Sequence, residues 1–134
     1  MSHKRLYRVF SIVWLFAVAV LSLMPVPKGI GGMSDKSMHF FFYLLTSMIV
    51  YLSISNGSYI RSISITVIFV FFYGIFLEVL QSLVPYRTFS INDIIANTLG
   101  IVTYTVCYIV YYMTRKRYFP LLQGRSSKDT KEEL

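Results

Sequence analysis

Apolar residues in this chain fall into four long runs, and most charged residues are confined to the gaps between them. The runs cover about residues 9–24, 38–54, 63–84 and 94–113. A helix needs roughly 20 apolar residues to cross hydrocarbon, and each run is near that length. The second is short, so its ends are expected at the headgroups. The third is aromatic and β-branched, a pattern that suggests strands in water. Its length without a turn signal predicts a lipid-embedded helix instead.

The gaps support this reading. Lys4, Arg5 and Arg8 precede the first run in the layout of a signal peptide. No small-x-small cleavage site precedes Pro25, and Trp14 suits a permanent span, so a retained helix is expected. Pro25, Pro27, Gly29, Gly31 and Gly32 predict a loop, Ser53–Ser58 a tight turn, and Pro85–Ser90 a second loop. Tyr108, Tyr111 and Tyr112 followed by Arg115, Lys116 and Arg117 form an interfacial belt and a stop. Residues 1–118 thus read as a transmembrane domain and 119–134 as a mobile cytoplasmic tail. With four spans both termini share a side. Lys4, Arg5, Arg8, Arg61, Arg115, Lys116, Arg117, Arg125, Lys128 and Lys131 crowd that side, against Lys28, Lys36 and Arg87 on the other. The expectation is an all-α four-transmembrane-helix bundle, N-in and C-in, in the bacterial cytoplasmic membrane.

Composition changes the picture little. Hydrophobic residues make up 55% and charged residues 14%, against roughly 25% charged in a soluble domain. A net charge of +7 invites a nucleic-acid reading. Here the basic residues flank spans, so membrane lipids are the expected partners and nucleic acid is not. The single cysteine, Cys107, lies in an apolar run and excludes an intramolecular disulfide. No cofactor motif is present, and the oligomeric state is left open.

Candidate chemistry comes from polar residues in the wrong solvent. Asp35, Glu78 and Asp93 all fall at the outer ends of spans, joined by His39, Gln81, Arg87 and Asn97. Ionisable groups near hydrocarbon cost a few kcal/mol each, so their one-sidedness needs a cause. Asp35/His39 and Asp93/Asn97 are spaced i,i+4 and Glu78/Gln81 i,i+3, which puts each pair on one helix face. Glu78, six residues before Val84, would sit about 9 Å inside the hydrocarbon edge. Three polar faces at one depth would bury themselves against each other, as a pocket open to the outer side. Val26-Pro27 precedes Asp35, and Val84-Pro85 precedes Asp93, at one spacing, with His39 and Asn97 following equally. That hints at a duplicated hairpin, although nothing else aligns at the offset.

The ordered set Asp35-Lys36-Ser37-Met38-His39-Phe40, Tyr43, Gly74, Glu78, Gln81, Pro85, Arg87, Ser90, Asp93, Asn97 and Gly100 resembles the VanZ-like family of small bacterial membrane proteins. The resemblance covers most of Asp35 to Gly100. The family's namesake is associated with resistance to the glycopeptide teicoplanin, which implies an outer-face role near cell-wall precursors. Tyr104 stands where family members often carry glycine.

Each residue also has a structural reading. Asp35 and Asp93 would cap helices, and Ser90-Ile91-Asn92-Asp93 has capping-box spacing. Glu78 would pair with Arg87 or Lys36, and Gln81 and Asn97 would bond across helices. Ala96 and Gly100 would mark a close helix contact. Arg87 would anchor a lipid phosphate or pair with a carboxylate.

Three functions remain. The favoured one is a non-catalytic protein binding a polar or amphipathic envelope molecule, a lipid-linked wall precursor or a glycopeptide. Its ligand-binding set is Asp35, Lys36, His39, Glu78, Gln81, Arg87, Asp93 and Asn97. The second is an enzyme with His39, Glu78 or Asp93 as catalytic candidates, Glu78 lying opposite His39. No nucleophile stands beside a base, which weighs against it. A metal site is not expected, and Asp35, His39, Glu78 and Asp93 are its lesser candidates. The third is a scaffold or partner-docking protein.

Overall fold

Serine sets the start of three of the four helices. In this computed structural model, residues 3–25, 34–55 and 57–132 are described, with side chains described as far as residue 117. They form α1 (His3–Leu23), α2 (Asp35–Ile54), α3 (Tyr59–Ser82) and α4 (Ile91–Glu132). Ser34 accepts a hydrogen bond from the Ser37 N–H, Ser58 from that of Arg61, and Ser90 from that of Asp93. Each hydroxyl satisfies an amide that a helix N-terminus leaves without a partner. The helices therefore begin a few residues before the apolar runs they carry. Of the loop expected from Pro25 to Gly32, all beyond Pro25 lies outside the described residues, with Pro27 and Lys28, and so does Asn56 of the turn.

Four helices are long and apolar enough to cross a membrane, the fourth over Ile91–Arg117. Large apolar side chains stand exposed along all of them, Phe16, Phe72, Phe76 and Val102 among them. Lipid is the environment in which such a surface is stable. The chain is a multi-pass, all-helical membrane protein.

It divides into one unit up to Tyr104 and another from Thr105. In the first, Tyr43, Val50, Val70 and Ile101 form the buried core, with Leu15, Phe42, Ile54, Val67 and Phe71 packed against it. The Trp14 indole N–H donates to Thr46 Oγ1 at 2.9 Å, and the Tyr73 hydroxyl donates to the Leu15 carbonyl. These bonds tie α1 to α2 and α3. The buried hydroxyls of Thr46, Ser47 and Thr66 donate to carbonyls four residues back in their own helices. The second unit is the remaining length of α4.

At Gly100, α4 packs closely on α2. A β-carbon placed at Gly100 would collide with the Phe40 carbonyl oxygen and come within 3.0 Å of the Leu44 nitrogen. Backbone cannot yield there, so glycine sets the distance between the two helices. Ala96, one turn earlier, is buried as the small-residue spacing predicts. Tyr104, one turn later, meets the Tyr51 ring at 6.1 Å.

Candidate functional site

The end of α3 and the loop after it act on backbone. Glu78 is 1% exposed, and its Oε1 accepts the Ser90 N–H at 2.6 Å. In a capping box the carboxylate three residues after the cap takes that amide. Here Glu78 of α3 takes it, so the Asp93 side chain turns to His39 instead. Among the described residues no ion pair joins Glu78 to Arg87 or Lys36, the partners its structural reading offered.

Three further side chains from this segment reach the C-terminus of α1. Gln81 Nε2 donates to the Ser22 carbonyl at 2.8 Å, the Tyr86 hydroxyl to that of Leu23 at 3.0 Å, and Arg87 Nη2 to that of Met24 at 3.4 Å. These are the carbonyls a helix end leaves open, and the cation complements the helix dipole.

The first turns of α2 and α4 behave differently. His39 Nδ1 lies 3.0 Å from the Asn97 carbonyl oxygen, which accepts its proton. That directs Nε2 at Asp93 Oδ2, 3.8 Å away. The carboxylate facing the ring is therefore Asp93's, where Glu78 had been expected. Asp35, one turn before His39, lies 3.9 Å from Arg87 Nη1, and its side chain is 52% exposed. Neither carboxylate contact is short enough for a hydrogen bond. One ligand atom from each of Asp35, His39 and Asp93 fits a triangle no wider than 4.8 Å.

Beside this triangle is a cavity of about 60 Å³. Asp35, His39, Gln81 and Arg87 line its polar side, and Val18, Leu21, Met38 and Phe42 its apolar side. Asp93 and Asn97 approach it through His39. Lys36 does not: it lines a separate shallow groove with Phe40, Asn92 and Ala96. Lys36 follows Asp35 directly, so it is rotated about 100° from the shared face.

Sequence reasoning missed Ser90 as the amide Glu78 serves, Tyr86 as a cap, and Tyr43 as a cavity wall. Tyr43 was legible as the next i+4 step after Asp35 and His39. Its ring lies against Gly74, where a β-carbon would come within 2.8 Å of it.

The profile of the family described as VanZ/LLP1 matches residues 3–112, most of the chain and all of the site. The chain belongs to the VanZ/LLP1 family. It is also similar to a protein of the fission yeast Schizosaccharomyces pombe named "Uncharacterized protein C11E3.10". The two are 33% identical over 117 residues, covering 84% of this chain and 68% of the yeast protein. VanZ-like sequence is thus not confined to bacteria. No solved structure matches the chain.

Proposed function

We propose that this VanZ-family chain is a non-catalytic membrane protein that binds the polar head of an amphipathic envelope molecule at the outer side. The observation that carries this is the cavity itself, in which Arg87, Asp35 and His39 face an apolar wall from α1 and α2. A phosphate-bearing head would meet the guanidinium, and its chain would lie along Val18, Leu21 and Phe42. A volume of about 60 Å³ is far below the several hundred Å³ of a site enclosing a drug-sized molecule. It therefore supports a lipid-linked wall precursor presenting one small head better than an engulfed glycopeptide. The asymmetry of basic residues supports the outward orientation, and the association of the family's namesake with teicoplanin supports a place near wall precursors.

The test is photo-crosslinking in nanodiscs with a polyprenyl-phosphate probe. Label concentrated at Leu21 and Met38, and lost in Asp35→Asn and Arg87→Ala, is expected. Label spread evenly over lipid-facing residues would reject the reading.

One observation favours a second reading, an enzyme acting on the same amphiphile. His39, held by Asn97 and facing Asp93, is oriented as a general base. Turnover of a lipid-linked substrate in liposomes, abolished by His39→Ala, would establish it.

A further inference from the structure

Most polar groups near the cavity have hydrogen-bond partners, and this isolates the ones that do not. Glu78, Gln81 and Asn97 are committed to an amide, a carbonyl and an imidazole. Asp93 is 9% exposed, and its carboxylate faces the His39 imidazole at 3.8 Å, an ion-pair distance beyond hydrogen-bond reach. A carboxylate held at that distance keeps acceptor capacity that a bound ion can take up. With Nδ1 turned to Asn97, the Nε2 edge of His39 faces that carboxylate, and Asp35 closes the triangle.

We propose that Asp35, His39 and Asp93 form a mononuclear site for a divalent transition cation of the Zn²⁺ or Mn²⁺ type, with Asn97 orienting the imidazole. The donor set decides the class. One imidazole and two carboxylates suit Zn²⁺ and Mn²⁺. Ca²⁺ takes six to eight oxygens, which the three residues do not supply.

The geometry is near what such an ion needs. Around tetrahedral Zn²⁺, ligand atoms lie about 3.4 Å apart. Rotation of the half-exposed Asp35 side chain can close the remaining gap, since its contact with Arg87 is long. Asn97 does what outer-sphere partners of metal-bound histidines do, fixing the tautomer and the ring plane.

This inference does not rest on the amphiphile reading, because the ion is measured alone. Tag-free full-length protein in detergent is stripped with a chelator. It is then titrated with Zn²⁺, Mn²⁺ and Ca²⁺ by calorimetry, and metal content is read by mass spectrometry. Stoichiometric Zn²⁺ or Mn²⁺ is expected, weakened at least 100-fold by Asp93→Asn and by His39→Ala. A loss of roughly 10–100-fold is expected for Asn97→Ala. His3→Ala keeps wild-type affinity. Where His39→Ala fails to fold, Asp35→Asn takes its place. Absence of stoichiometric binding in the wild type, binding undiminished in Asp93→Asn, or Ca²⁺ bound as tightly would each overturn the proposal. The triangle would then be an imidazolium–carboxylate pair.

Discussion

The C-terminal end of α3 and the opening turns of α2 and α4 are equally polar and sit side by side, yet they handle polarity in opposite ways. In the first, Glu78, Gln81, Tyr86 and Arg87 each end on a backbone group of another segment. In the second, Asp35, His39 and Asp93 face one another at 3.8 Å or more, short of hydrogen bonds between them. Burial alone therefore does not mark a site. Glu78 is the most buried acid, and it serves as a cap. What distinguishes the second region is binding capacity left unused.

Substitutions can break or sharpen this contrast. The largest effect is expected where both regions depend on one distance. Gly100→Val drives a side chain into α2 backbone and should cost about 3 kcal/mol or prevent folding, read as loss of monodisperse protein in detergent. Glu78→Ala comes next, stranding the half-buried Ser90 amide at a cost of about 1–3 kcal/mol in thermal or denaturant unfolding. Glu78→Gln keeps an acceptor and should recover most of that loss. If the two variants unfold alike, Glu78 is not a cap. Gln81→Leu removes one bond to the end of α1 and should cost about 1 kcal/mol.

Asp93→Asn belongs to the other region. Its melting temperature should stay within about 2 °C of wild type, equivalent to a few tenths of a kcal/mol, while cation binding is lost. A large drop in stability would erase the distinction. The smallest effect is expected from Thr66→Val, because the Ser62 carbonyl it bonds already belongs to the helix. About 0.5 kcal/mol or less is expected in the same unfolding assay.

The helices and the neighbourhood of the site were legible because hydrocarbon permits few arrangements of polar residues. Four apolar runs admit little but four helices, and acids gathered at corresponding ends must share a level. The partners were not legible. Gln81, Tyr86 and Arg87 bond carbonyls at Ser22, Leu23 and Met24, and every residue in the chain carries a carbonyl. Glu78 serves an amide, equally anonymous in sequence. Lys36 was grouped with Asp35 by adjacency, although helical rotation sends it elsewhere. Periodicity also carried Tyr43 into the cavity wall, a step the spacing of Asp35 and His39 already implied.

The bond from Ser90 to Glu78 bears on how the protein is made. The ribosome adds Glu78 twelve residues before Ser90, so the receiving carboxylate exists before the amide it will accept. Because the two partners are only twelve residues apart, the bond closes a short loop, and the register of α4 against α3 is fixed at little entropic cost.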